Sequence, residues 1–66
     1  MKFFVNDHCF EIYSTFTLLD LINYLNLKNK PIAVEKNHLF IAKEKWLETI
    51  IQPSDQIEIV TIVGGG

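Results

Sequence analysis

The stretch TLLDLINYL, residues 17–25, decides the fold of this chain. Thr17, followed three residues later by Asp20, is a capping signature in which a hydroxyl and a carboxylate bind the free N–H groups at a helix start. Apolar residues then recur at i, i+3, i+4 and i+7, the spacing of a stripe along one helix face: Leu18, Leu21, Ile22 and Leu25. We therefore predict one helix, ending around Leu25 to Leu27, that packs this stripe on a sheet.

The residues before the helix have the pattern of a β-hairpin. Residues 2–5 are rich in β-formers, and the Asn-Asp pair at 6–7 suits a tight two-residue turn. In residues 8–13, Phe10 and Ile12 fall on one face and alternate with residues on the other. Two strands therefore precede the helix.

The residues after the helix predict three more strands. Pro31 cannot continue a helix and favours an extended residue before it. We predict, in order, a strand at 32–36, a turn at 37–38, a strand at 39–41, a helical turn at 43–46 whose Trp46 closes the core, a type I turn at 52–55, and a strand at 57–63.

This order, β-β-α-β-β-β, predicts an α+β fold of the β-grasp (ubiquitin-like) type, in which a mixed sheet of four to five strands curls around one helix. Such a sheet requires the first and last strands to lie side by side and parallel. Both are apolar enough to be central, as buried parallel strands are. We predict one domain over residues 1–63 and a flexible glycine tail at 64–66.

The tail Gly64-Gly65-Gly66 has no evident use in folding, because glycine is costly to order and weakens a strand. Three extended residues reach roughly 10 Å. They could carry the Gly66 carboxylate down a narrow channel of another protein, where Cβ atoms would obstruct the passage. A frayed end or an expression scar is the alternative interpretation.

Composition argues against several classes of function. The net charge is −2, and lysines without a single arginine interleave with carboxylates, so we expect no nucleic-acid binding. Cys9 is the only cysteine, which excludes an internal disulfide and favours a reducing compartment. The first residues hold too short an apolar run for a signal peptide or membrane span. We expect a cytoplasmic protein, or one of the plastid stroma.

The side chains offer few candidates for chemistry. Cys9 lacks the cationic neighbourhood that a reactive thiolate needs. His8 and His38 have no metal-ligand spacing with it or with carboxylates. We therefore predict no catalytic residue and no metal site within the chain.

Strand alternation predicts a partner-binding patch at the root of the tail. If Ile57 and Ile59 face the helix, the outer sheet face carries Glu58, Val60 and Ile62. By the same reasoning Phe4 points outward from the neighbouring first strand. Exposed together, Phe4, Val60 and Ile62 would form an apolar interaction surface. A register shifted by one residue would turn all three inward.

The whole chain resembles the ThiS family of sulfur carriers in thiamin (thiazole) biosynthesis, which are ubiquitin-like β-grasp proteins. The resemblance rests on length, element order and the terminal Gly65-Gly66 pair, and its matching stretches are residues 1–7, 17–25, 32–37, 43–46, 55–60 and 63–66. Gly64 stands where the family often has another small residue.

The resemblance implies a carrier cycle in which this chain is a substrate and not an enzyme. An adenylating enzyme similar to ThiF or MoeB would activate the Gly66 carboxylate with MgATP, while Gly64 and Gly65 thread its active site. A persulfide from a cysteine desulfurase or relay protein would then give a thiocarboxylate. That group would donate its sulfur to a thiazole synthase similar to ThiG. The chain itself would bind no cofactor.

Other functions remain open at this point. A MoaD-like molybdopterin-synthase subunit or a tRNA-thiolation carrier would use the same chemistry, although MoaD-like chains are typically longer. A ubiquitin-like modifier would join lysines through Gly66. A β-grasp interaction module would not use its glycines at all. The oligomeric state is open as well.

Overall fold

The computed structural model describes residues 1–62. Its elements are β1 (Lys2–Val5), β2 (His8–Glu11), α1 (Leu18–Tyr24), β3 (Ile32–Lys36), β4 (Leu39–Phe40), a 3₁₀ helix (Lys43–Glu48) and β5 (Gln56–Thr61). The predicted order β-β-α-β-β-β is confirmed. β5 ends at Thr61, although the predicted last strand included Ile62 and Val63. Val63 itself, the domain boundary there and the tail lie outside the described residues.

The five strands form one mixed sheet in the order β2-β1-β5-β3-β4. β1 and β5 are adjacent and parallel at its centre, as predicted, whereas β2, β3 and β4 pair antiparallel with their neighbours. Parallel neighbours need a long crossover connection, and the segment that contains α1 supplies it. The last strand therefore runs through the middle of the molecule.

The predicted capping box begins α1. The Thr17 amide donates to Asp20 Oδ2 at 2.9 Å, and the Asp20 amide donates to Thr17 Oγ1 at 3.0 Å. A helix of seven residues is too short to be stable alone in water. It persists because its apolar stripe is buried on the sheet, with Leu18, Leu21 and Ile22 fully inaccessible to solvent.

The core lies between α1 and one face of the sheet. Its buried members are Phe3, Val5, Leu18, Leu21, Ile22, Val34, Trp46, Ile51 and Ile57. Trp46 closes the core as predicted, and its Nε1 donates to the Ile41 carbonyl at 3.1 Å. This bond satisfies the one polar atom that the indole brings into the interior.

Two of the three predicted turns are hairpin turns at the expected residues, and the third differs in type from the one predicted. Residues 6–7 and 37–38 have positive φ throughout, the geometry of type I′ hairpin turns. Ser54 has φ 69°, and with Pro53 before it the turn is type II, so the predicted type I turn was wrong. The Ser54 amide donates to the distant Lys2 carbonyl at 2.7 Å, and this long-range bond decides the orientation of the peptide.

Candidate functional site: the surface around the last strand

Hydrogen bonds on both edges hold β5 where it leads toward the C-terminus. β1 ends at Val5, opposite Ile57, so it is too short to pair with the second half of β5. Beyond this point the Asn6 side chain supplies the hydrogen bonds to β5. Its Nδ2 donates to the Ile59 carbonyl at 3.1 Å, and the Ile59 amide donates to its Oδ1 at 2.8 Å. One side-chain amide thereby extends the ladder of β1 by a further peptide.

On the opposite edge, β3 accompanies β5 to its end. Thr61 lies across from Ile32, and the Ile62 amide donates to the Pro31 carbonyl at 2.7 Å. The chain is thus held in place up to Ile62, four residues before the terminal glycine. The body of the protein presents a fixed point from which the tail departs.

A buried carboxylate fixes the beginning of β5. Asp55 is 6% exposed, and it accepts from the Gln52 amide at 2.7 Å and from Asn37 Nδ2 at 2.9 Å. Lys36 Nζ lies 3.4 Å from its Oδ2. The Gln56 amide donates to Asn37 Oδ1 at 2.9 Å. The beginning and the middle of β5 therefore each depend on an asparagine from a hairpin turn, a role that sequence reasoning did not find.

The structure brings two of the three predicted patch residues close together. Val60 and Ile62 lie on the outer sheet face and are 54% and 51% exposed. Phe4 is half-buried and lies opposite Gln56, near the other end of β5. Gln56 and Val60 are four positions apart, about 13 Å along the strand. Val60 and Ile62 lie nearest the tail, whereas Phe4 is set apart from them.

Three other residues share the outer face with Val60: alternation placed Glu58 there, whereas Phe40 and Glu35 were not singled out from the sequence. The register places Phe40, Glu35 and Glu58 side by side in one row across β4, β3 and β5. Phe40 is 68% exposed, and both glutamates are exposed. Alternation within each strand indicates which face a residue occupies, but only pairing between strands places these three together.

The remaining candidates lie on other parts of the surface. Cys9 and His8 are exposed on β2, and His38 is exposed in the turn before β4. Within residues 1–62 no group of three or more histidine, cysteine, aspartate or glutamate side chains is placed to hold a metal ion. Nor does this part of the chain contain a helix with the length and apolar character needed to cross a bilayer.

The residues that would carry chemistry, Gly64, Gly65 and Gly66, lie outside the described residues. The structure describes the surface from which they depart. This surface combines a β5 fixed by hydrogen bonds, exposed apolar side chains beside its end and two carboxylates on the same face.

Comparison with known proteins identifies a family and several relatives that this chain resembles. A family model described as "ThiS family" matches residues 4–66. The sulfur carrier protein ThiS of Bacillus subtilis (strain 168) is 44% identical over 52 residues, 79% of each chain. An uncharacterized protein named ycf40 from Trieres chinensis is 39% identical over 64 residues, 97% of this chain and 88% of that one.

Two further similarities concern the fold and a larger protein that contains a related segment. The crystal structure of the thiamine biosynthesis protein ThiS from Geobacter metallireducens superposes with a TM-score of 0.84, covering all of both chains at 22% identity. At that identity the likeness shows the β-grasp fold alone. A thiazole synthase of Paramagnetospirillum magneticum is 27% identical over all 66 residues of this chain, which correspond to 20% of that larger protein.

Proposed function

The chain belongs to the ThiS family, and we propose from this premise that it carries sulfur for thiazole formation in thiamin biosynthesis, on the carboxyl group of Gly66. The observation that carries the proposal is the extent of the family match, which includes the last strand and all three terminal glycines. The sulfur carrier protein ThiS of Escherichia coli (strain K12) is 26% identical over the full length of both chains.

The first step is activation of the carboxylate by a partner enzyme similar to ThiF or MoeB. The Gly66 oxygen attacks the α-phosphorus of MgATP, and pyrophosphate leaves. The resulting acyl-adenylate has AMP as its leaving group, so its carbonyl carbon is open to nucleophiles. The carrier contributes reach, since an extended residue spans about 3.3–3.6 Å. Because Gly64 and Gly65 have no side chains, this segment can also pass through a narrow channel.

The second step is sulfur transfer. The terminal sulfur of a protein persulfide, supplied by a cysteine desulfurase or a relay protein, attacks the acyl carbon and AMP leaves. A thiol then cleaves the S–S bond of the acyl disulfide, which leaves a thiocarboxylate on Gly66 and a disulfide on the sulfur donor. The thiocarboxylate is a far better nucleophile than the carboxylate, which suits it to donate sulfur.

The body of the protein has a presenting role in this cycle. Because hydrogen bonds hold β5 on one edge to Ile59 and on the other to Ile62, the tail starts from a defined place. A defined starting point limits the positions that the carboxylate samples, which favours productive entry into a partner's active site. The partners supply the catalysis, and the MgATP is bound by the adenylating enzyme.

The acceptor of the sulfur is proposed to be a thiazole synthase. Support comes from proteins of that name in Paramagnetospirillum magneticum and Magnetococcus marinus, which match this whole chain over a fifth of their own length. A carrier-like segment within the same polypeptide as the synthase has little reason to exist unless the two work together. We propose a cytoplasmic or plastid-stromal setting, where adenylating enzyme and synthase would share the compartment.

The first prediction concerns the chemistry of Gly66. The chain is incubated with its adenylating enzyme, MgATP, a cysteine desulfurase and cysteine, and its intact mass is taken. We expect replacement of one oxygen by sulfur at the C-terminus. Deletion of Gly66 should abolish the change and leave the melting temperature within about 1 °C of the full chain, because the last residue of a domain usually contributes little to stability.

Each other outcome contradicts part of the proposal. An adduct through a lysine isopeptide bond would indicate a modifier, and an unchanged mass would indicate an interaction module. Sulfur incorporation that is consumed only by a molybdopterin or tRNA acceptor, and not by thiazole synthase, would assign the carrier to another pathway. Unfolding of the Gly66 deletion would contradict the view that the tail is separate from the fold.

A further inference from the structure

We propose that the outer face of β3, β4 and β5 docks on the adenylating enzyme, and that Glu35 and Glu58 together receive a basic side chain of that enzyme. This docking face consists of Phe40, Glu35, Glu58, Val60 and Ile62. The inference rests on the proposed carrier function, because it names the partner that the face fits. It adds a charged recognition element to an otherwise apolar surface.

The first argument is the register of the sheet. Glu35 and Glu58 lie directly opposite one another in the β3–β5 ladder, on the face turned away from the helix. Like charges in that position repel, and such pairs destabilise a sheet. Folding alone therefore gives no reason for two carboxylates at this place. A cation placed between them would turn the repulsion into attraction.

The second argument is that the fold does not itself supply such a cation. Among residues 1–62, the two ion pairs join Lys36 to Asp55 and Lys45 to Glu48. Lys36 lies on the strand beside Glu35, but its side chain points to the opposite face, where it meets the buried Asp55. The carboxylates of Glu35 and Glu58 face solvent without an ion-pair partner in this part of the chain.

The third argument is the apolar surface around the pair. Phe40 is 68% exposed and lies next to Glu35 in the same row. Val60 and Ile62 follow on β5 toward the tail, with exposures of 54% and 51%. A central charge pair bordered by large apolar side chains has the composition of a protein interface, in which apolar contacts exclude water from the polar ones.

The fourth argument is position. Glu58 and Ile62 are four residues apart on the strand, about 13 Å. An enzyme that draws Gly66 into its active site must surround the chain just after Ile62. The rim of its channel then lies over Val60 and reaches the glutamate pair, so the docking face is continuous with the path of the tail.

The fifth argument is the chemistry of the enzyme. A site that holds MgATP and a carboxylate must attract anions, so cationic side chains are expected around its entrance. A carrier that presents acidic groups there gains in association rate and in correct orientation. Arginine suits the place best, because its planar guanidinium presents five donors and can bridge two carboxylates.

The test uses full-length variants that remove one charge each. Glu35→Gln and Glu58→Gln are compared with Glu11→Gln, which lies on the same sheet face but on the far strand β2, opposite Lys2. All three change the net charge equally. The measurements are KM and kcat for pyrophosphate release by the adenylating enzyme across a salt series, and the melting temperature. Affinity for thiazole synthase and the oligomeric state of each variant are measured as well.

We expect Glu35→Gln and Glu58→Gln each to raise KM on the order of tenfold with little change in kcat, and to flatten the salt dependence. Their melting temperatures should equal or exceed that of the wild type, because the repulsion is relieved. Glu11→Gln should leave KM within about twofold, as expected for a charge outside the interface.

Four results would overturn the inference. KM values equal to that of Glu11→Gln would remove the glutamates from the interface. A raised KM with a lowered melting temperature would indicate damage to the fold instead. Weaker binding to thiazole synthase alone would assign the face to that partner, and loss of a self-dimer would assign it to a second copy. Failure of the wild type to be adenylated would refute the carrier function itself, which is a separate outcome.

Discussion

At the scale of single residues, two asparagines perform the same double role on opposite edges of β5. Asn6 and Asn37 each have a positive φ in a hairpin turn, 48° and 53°. Asparagine tolerates this backbone conformation better than most residues, and its amide offers both a donor and an acceptor. Asn6 binds Ile59 and Asn37 binds Gln56 and Asp55. Each asparagine thus adopts the backbone conformation of its turn and holds β5 through its side-chain amide.

The residue-scale prediction is that Asn6→Gly loosens β5. Glycine keeps the positive φ, so the substitution removes the two bonds to Ile59 and little else. We expect about 1–2 kcal/mol of lost stability from the missing bonds and faster hydrogen exchange of the Ile59 amide. Asp7→Gly is the matched control, because Asp7 shares the turn and has φ 69°. Equal effects of the two substitutions would show that only the turn matters.

At the scale of elements, α1 is a short helix with more stabilising interactions at its N-terminus than at its C-terminus. The capping box satisfies amides at its first turn, whereas its last turn contains no basic residue. The helix ends at Tyr24 with Leu25 as its C-cap, and Asn26 follows with φ 60°. With only seven residues, the element depends on its cap and on burial of its stripe against the sheet.

The element-scale prediction concerns the cap. Thr17→Ala removes the oxygen that accepts from the Asp20 amide, a loss of about 1 kcal/mol for a helix cap. In a domain of this size that corresponds to a fall of roughly 4–8 °C in melting temperature. Thr15→Ala, an exposed hydroxyl just before the cap, serves as the control. If thermal unfolding gives the same midpoint for both variants, the capping box does not stabilise the protein.

At the scale of the whole molecule, the parallel pairing of β1 and β5 puts Ile62, the last described residue, beside an exposed sheet face. The helix covers the other face, so under the proposed function a partner that takes up the tail would meet the outer one. This separation lets one face stabilise the fold while the other is open to binding. Changes on the outer face are therefore expected to affect partners more than stability.

The prediction at this scale is that Ile62→Asp impairs adenylation and not folding. Ile62 is 51% exposed, so a carboxylate there remains hydrated in the free protein. In the docked complex it would be desolvated without a partner, a penalty of about 1–3 kcal/mol or more for a charge. We expect adenylation efficiency, kcat/KM, to fall at least tenfold at an unchanged melting temperature. Leu47→Asp, on the 3₁₀ helix and 71% exposed, is the control. Undiminished adenylation would remove Ile62 from the interface.

Local signals in the sequence predicted most of the elements. The Thr17–Asp20 spacing, the stripe that follows it and the Asn-Asp and Asn-His pairs each act within a few residues. Alternation predicted that Phe3, Val5 and Ile57 face the core and that Val60 and Ile62 are exposed. These features follow from helix and strand periodicity, which does not depend on the tertiary contacts of the segment.

The tertiary structure alone decided the features that join distant residues. Ser54 adopts positive φ because its amide reaches the Lys2 carbonyl, so local preference for a type I turn is overridden. Strand register separates Phe4 from Val60 and places Glu35 against Glu58.

The sequence by itself determined which elements form and which face of each is apolar, because those properties repeat along the chain. Which residues meet across the sheet was decided only by the pairing of strands far apart in sequence, and that pairing shapes the docking face beside the tail.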